Sequence, residues 1–375
     1  MGELHDEYRA ALALRHSRWL GPRTWRGIID HFDSLLEAAK QCRSWLALGL
    51  ASKRQVDAFQ TRSWKEEADK EYEAAKRHGA SYLLVTDSRY PPLLREIPDP
   101  PLYLYYKGDI SFLRNPCVGV VGARKCSSYG LEASMKISRE LSRYGVTVVS
   151  GMASGIDRQA HLSGLTGPGG SIGVLGTGLD VIYPRTNRDI WETLGTKGLL
   201  LSEYGYGEGP EASHFPVRNR IISGISYGVL VAEAAGKSGS LITAGHALDQ
   251  GREVFALPGP VGKPTFTGCH ALIRQGGCLV SCADDILQEL RYILGPEVLS
   301  TSPKEMPDCD QAISSCGLEG TAQRIAKLFS AGERLHIDQV GRMAHLGSGD
   351  VSRVLVELEV KGLVRQWPGM YYSLV

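Results

Sequence analysis

Six apolar runs rich in β-branched residues fix what most of this chain can become: Val118–Val121, Val146–Val149, Ile172–Leu175, Leu199–Leu201, Val229–Val231 and Val254–Leu257. They alternate little between apolar and polar positions, as strands do when both faces of a sheet are covered. Almost every run passes at once into a glycine-rich loop and then a helical stretch, the grammar of an α/β domain with a mainly parallel sheet. Two earlier runs, Tyr82–Val85 and Leu102–Tyr106, extend that sheet. Glycine, 44 of 375 residues against a usual share of about 7%, gathers in these loops, where tight turns and close ligand approach call for it.

The flanks read differently. Residues 1–70 carry apolar positions at helical spacing, broken by Gly21-Pro22, and form a small helical domain. The turn Leu20-Gly21-Pro22-Arg23-Thr24 is of the kind found in helix-hairpin-helix modules. The α/β domain spans 71–294, and residues 295–317, rich in Pro, Ser, Gly and acids, read as a linker. In 318–375, helices over 321–331, 337–346 and 349–361 precede two short strands around Pro368-Gly369, which makes a winged helix. Between Gly349 and Lys361 the charges lean acidic, so this unit is expected to contact protein or to tune duplex contact weakly.

In a parallel sheet the glycine-rich loops share one edge, where such folds bind ligands and helix N-termini offer amides to anions. The loops carrying Gly122, Gly151 and Gly155, with the turn Lys237-Ser238-Gly239-Ser240, are placed to do so. Neither G-x-G-x-x-G after the first core strand nor GxxxxGK[ST] occurs, which disfavours the familiar NAD and ATP sites. Cations are interleaved with the loops instead: Arg124, Lys125, Arg185, Arg188, Arg218, Arg220 and Lys237. Aromatic residues stand beside them, Tyr129, Tyr183 and above all Phe215. A cationic groove with a ring on which a base stacks suits a single strand bound without reading its sequence, at about 1–3 kcal/mol per stacked base.

Overall composition is silent on the partner, since 42 Lys+Arg against 41 Asp+Glu leave a formal charge of +1. The eight cysteines form no CxxC pair, so no metal site or other cofactor is expected. No apolar run approaches the length of about 18 residues that a membrane helix requires, and MGELHDEYRA is unlike a signal sequence. A reducing cytoplasm is the expected setting.

Several segments together resemble the DNA-processing protein A (DprA/Smf) family: Val121–Gly130, Val149–Asp157 with Ala160-His161, Val174–Pro184, Phe215–Ile222, Ser238–Ala244 and Val254–Gly259. Tyr90-Pro-Pro92, Asp99-Pro-Pro-Leu102, Gly268 and Leu272-Ile273 continue the match, which covers roughly residues 80–290 in order and spacing. The resemblance implies a Rossmann-like domain with a SAM-like or helix-hairpin-helix-like helical domain before it and a winged helix after it. It implies a homodimeric, non-enzymatic protein of natural transformation that binds single-stranded DNA, loads RecA recombinase onto it, and displaces or cooperates with single-strand-binding protein. Carried over, the DNA contacts are Arg124, Arg185 or Arg188, Phe215, Arg218, Asn219, Arg220 and the amides of Ser238–Ser240, and the dimer surface includes Leu272 and Ile273. Cys126-Ser127-Ser128 and Cys269-His270 depart from the usual pattern, affecting one hydroxyl contact and the dimer packing.

Asp157, Asp180, Glu203 and Glu233 lie at or beyond strand ends, where an α/β enzyme would keep a catalytic carboxylate. No paired-carboxylate or triad spacing singles them out, so they are read as caps of helix N-termini or as partners of Arg218 and Arg220. The rival function is a nucleotide-processing enzyme of the lysine-decarboxylase-like group, whose P-G-G-x-G-T signature this sequence lacks.

Overall fold

Burial on both faces draws the apolar runs together into one sheet. The protein is described by a computed structural model covering residues 2–294, 321–326, 328–329, 335–360, 364–367 and 369–374. The chain divides into two compact units, Met1–Lys304 and Glu305–Val375. In the first, the strands are β1 (Ser81–Leu84), β2 (Tyr103–Gly108), β3 (Cys117–Val121), β4 (Thr147–Ser150), β5 (Ser171–Leu175), β6 (Leu199–Ser202), β7 (Gly228–Val231), β8 (Glu253–Ala256) and β9 (Cys278–Leu279). Their order is β1-β2-β6-β5-β4-β3-β7-β8-β9. From β3 to β9 all pairings are parallel, while β2 lies antiparallel against β6 and β1 against β2. Every residue of β3, β4, β5, β6 and β7 is buried, which accounts for their unbroken apolar character.

Winding runs from β3 through β4 and β5 to β6 on one side, then crosses back to β7, β8 and β9 on the other. The loops after β3 and β7 therefore leave in opposite directions and open a crevice at the carboxyl edge, the general ligand position of open α/β sheets.

The helices Gly2–His16, Pro22–His31, Leu35–Lys40, Lys53–Gln60 and Lys65–Arg77 precede the sheet. Their Tyr8, Leu12, Leu14 and Tyr72 share one apolar core with Tyr103 and Tyr105 of β2. Buried hydroxyls there need acceptors: Tyr103 and Tyr105 donate to Glu71 Oε1 at 2.7 and 2.6 Å. The helix Lys65–Arg77 thus runs across residue 70 and is tied to the sheet through Glu71.

In the second unit, the helices Thr321–Ala326, Ile337–Ala344 and Ser348–Val360 and the strands β10 (Leu335–His336), β11 (Val364–Trp367) and β12 (Tyr371–Leu374) form a winged helix. The strand order is β10-β12-β11, and Ile325, Val340, Val351, Leu355 and Leu358 make its core. The middle helix stops at Ala344, short of the expected Leu346, because His345 turns into the left-handed region at φ 55°. The expected linker, 295–317, lies outside the described residues.

Candidate functional site

The glycines of the first two loops serve packing before they serve any ligand. Gly155 has φ +78°, and a Cβ there would lie 2.9 Å from the Arg124 carbonyl carbon, so only glycine lets the loop after β4 lie on the loop after β3. A Cβ on Gly122 would meet Ile156 Cγ1 at 2.7 Å, and one on Gly151 would meet Arg218 Nη2 at 2.7 Å. Met152, between Gly151 and Gly155, holds φ 59°, a strained conformation for a non-glycine residue.

The amides that could have faced an anion are largely occupied from within. At the N-terminus of the helix Ser128–Arg143, the fully buried Glu233 accepts from Ser127 N at 2.9 Å and from Ser127 Oγ at 2.7 Å through Oε2. At the helix Ile156–Gly164, Asp157 Oδ2 accepts from Gly151 N at 3.2 Å and Ala153 N at 3.3 Å. Burial raises the Asp157 pKa above the usual carboxylate value, against the pull of Arg218. So the Gly151 amide, expected to face a ligand, is turned to Asp157, while Gly122 and Gly155 are called for by the close packing of the two loops. The helix Gly239–Asp249 is different: Ser238 Oγ accepts from Ser240 N at 3.4 Å, its first turn has no acid, and Lys237 and Gly239 are exposed.

A ring and cations do come together. Phe215, at the start of the helix His214–Gly224, rests on Gly176, whose Cβ would lie 3.0 Å from Phe215 Cδ1. Around that ring stand Tyr183, with centroids 5.5 Å apart, and the guanidiniums of Arg124 and Arg218 at 6.0 and 5.9 Å. Phe215 is half-buried, whereas Tyr183 and Arg124 are exposed, so one side of the cluster faces solvent. Residues not singled out from sequence hold it in place. Asn187 Nδ2 donates to Met152 O at 2.8 Å, tying the Tyr183 loop to the loop after β4. Arg158 pairs with Asp189 at 2.9 and 2.7 Å and reaches Asn187 Oδ1 at 3.2 Å. Tyr204 stacks on His214 with centroids 4.0 Å apart, beneath the start of the Phe215 helix.

The cations divide into two groups. Arg124, Lys125, Arg185, Arg188 and Lys237 are exposed, with Arg188 loosely paired to Glu192 at 3.7 Å. Arg218 and Arg220, expected at a polyanion, are instead 4% and 5% exposed. Arg218 Nη1 donates to Gly151 O at 2.7 Å and to Val174 O, and its Nε donates to Asn219 Oδ1 at 3.2 Å. Burial lowers the Arg218 pKa to about 10. Arg220 turns inward onto Glu203 at 2.8 and 2.9 Å and onto Asp99 at 2.8 Å, because a buried guanidinium is tolerable only when paired. Leu272, expected on a dimer surface, is 8% exposed in the core of its own unit, with Ile273 partly buried against it.

Comparison with known proteins identifies the family. The family described as "DNA recombination-mediator protein A" matches residues 81–291, and the "DprA winged helix domain" matches 311–370. Protein Smf of Synechocystis is 36% identical, over 96% of this chain and 97% of its own. DNA processing protein DprA of Streptococcus pneumoniae is 46% identical, over 56% of this chain and 73% of its own. The X-ray structure of DNA processing protein A from Streptococcus pneumoniae superposes with a TM-score of 0.64 at 37% identity, covering 74% of this chain and 95% of that one. A structure from Helicobacter pylori, described as giving insight into the single-stranded DNA binding mode of DNA processing protein A, has a TM-score of 0.52 at 29% identity, covering 56% of this chain and 95% of that one. With the family match spanning the whole glycine-looped sheet and a relative alignable nearly end to end, the chain belongs to the DNA recombination-mediator protein A family.

Proposed function

We propose that this protein binds single-stranded DNA along the carboxyl edge of its sheet, without reading sequence, and acts by binding and not by catalysis. The observation that carries this reading is the cluster of Phe215, Tyr183 and Arg124, a solvent-facing ring flanked by cations. The exposed Lys125, Arg185, Arg188 and Lys237 take the phosphates, aided by the Ser238-Gly239-Ser240 turn. Arg218, Asn219 and Arg220 act from beneath: Arg218 ties the ends of β4 and β5 under Phe215, and Arg220 locks the same helix to Glu203. The name of the Helicobacter pylori relative, which speaks of single-stranded DNA, supports the choice of ligand.

The rival nucleotide-processing reading needs a phosphate cup and a reactive pair. Glu233 fills the cup after β3, and His161 is a buried neutral imidazole with its pKa pushed down to about 3. The finer role follows from the family likeness: the bound strand is passed to RecA, in concert with single-strand-binding protein, during natural transformation in the cytoplasm. The protein acts there as a homodimer whose surface includes Ile273, with Leu272 packed beneath it. Among the described residues no helix is long and apolar enough to cross a membrane.

Anisotropy with a labelled oligothymidine tests the reading. Phe215→Ala is expected to weaken binding by about 1–3 kcal/mol, and the parent is expected to release no base from nucleoside monophosphates. Unchanged affinity in the variant, or steady nucleotide turnover by the parent, would sink it.

A further inference from the structure

The turn between the first two helices presents an indole that the core does not use. Trp19 is 50% exposed. Its backbone sits at φ 71°, a left-handed conformation that a bulky residue holds only where its surroundings enforce it. The enforcing contacts are visible. Gln55 Nε2 donates to Trp19 O and to Thr24 Oγ1, both at 2.9 Å, and Ser52 and Gln55 close a capping box at the start of the helix Lys53–Gln60. That helix lays Arg54 over the indole, its guanidinium carbon 3.6 Å from the ring centroid, with Arg18 at 5.1 Å. Arg18, Arg23, Lys53 and Arg54 are all exposed. None of the four forms an ion pair among the described residues, although neighbouring arginines such as Arg9 and Arg26 do.

We propose that this patch is a second nucleic-acid contact, separate from the sheet edge, in which the four cations neutralise the sugar-phosphate chain and a base lies on the guanidinium–indole stack. Charge complementarity alone would equally admit an acidic peptide. The planar part of the patch decides between them: an exposed indole capped by a guanidinium offers the flat, cationic face on which bases stack, whereas a carboxylate side chain makes no use of it. The strain at Trp19 has a purpose on this reading, because it keeps the ring out of the core and in the path of a strand.

The test is a length ladder of labelled oligothymidines against three proteins: the parent, Trp19→Gly combined with Arg54→Glu, and Phe215→Ala. Glycine accepts a φ of 71°, so the first variant is expected to melt with the parent. Strands short enough for one site, about 4–16 nucleotides, should bind this variant as tightly as the parent. Longer strands should bind it roughly tenfold more weakly, the loss of about one stacked base and one phosphate contact. Equal affinity at every length overturns the proposal. So does an equal loss for polyglutamate and oligothymidine, which would make the patch an acidic-peptide site. The sheet-edge reading fails separately: Phe215→Ala would then bind like the parent at all lengths, while the Trp19 variant would still lose the long strands.

Discussion

A guanidinium, a carboxylate and an imidazole lie buried under the loops of the sheet edge, and the chemistry of each depends on the others. Arg218 ties Gly151 to Val174, Asp157 caps the loop amides, and His161 sits fully buried with Nδ1 2.8 Å from Ser171 Oγ. Burial first, and the Arg218 charge second, push the His161 pKa down to about 3. An unfolded histidine titrates near 6.5, so between about pH 6.5 and 3 the unfolded chain binds the extra proton and stability falls as pH drops. Asp157, shifted upward, binds its proton more readily in the folded chain and offsets part of that loss at the acid end. Urea unfolding at pH 7 and pH 5 should therefore show a larger loss for the parent than for His161→Leu, in which Ser171 keeps its bond to Val148 O. Equal losses would mean that His161 is not held neutral. At this scale the sequence showed which residues are charged but not which way they turn. The spacing of Arg218 and Arg220 suits a polyanion. Reading Glu203 as a partner of these arginines agrees with its bond to Arg220, but nothing local reveals that Asp99, from a distant segment, joins it and draws Arg220 inward. Reading Asp157 and Glu233 as caps agrees with the bonds they make, because an acid just past a strand end stands beside a helix start.

At the level of elements, a single side chain decides what the first loop can hold. Glu233 leaves the end of β7 and caps the helix Ser128–Arg143 with Oε2, while its Oε1 has no hydrogen-bond partner. Glu233→Ala removes two charge-assisted bonds and should destabilise the protein by about 2–3 kcal/mol. It also vacates the anion position at a helix N-terminus. Inorganic phosphate should then raise the melting temperature of the variant more than that of the parent. An equal response in both would show that the glutamate does not stand where a phosphate would. Strands β3 to β7 were legible because burial on both faces leaves an unbroken apolar run in the sequence, and β1, β2 and β8, each exposed at one end, still carry short apolar runs. The two-residue β9 leaves no such run, and the Arg158–Asp189 and Asn187–Met152 ties join loops far apart in the chain without any local period. The tie of the Lys65–Arg77 helix to the sheet was hidden for the same reason, since Glu71 finds Tyr103 and Tyr105 only in the folded chain.

For the whole molecule, a formal charge of +1 gives no long-range attraction to a polyanion, so affinity has to come from where the charges stand. Arg124, Lys125, Arg185, Arg188 and Lys237 are exposed, whereas Arg218 and Arg220 are withdrawn into the interior. Each phosphate neutralised on a single strand contributes about −0.7 to the slope of log K against log salt. Five engaged cations therefore imply a slope of about −3.5. Phe215→Ala should leave that slope in place, because stacking releases no counterions. The most direct test is a salt titration of oligothymidine binding, in parallel with a duplex of equal length, for the parent and for Arg124→Ala combined with Lys237→Ala. The account predicts tighter binding of the single strand and a slope shallower by about 1.4 in the double variant. A parent that prefers the duplex, or a double variant that keeps the parental slope, would contradict it.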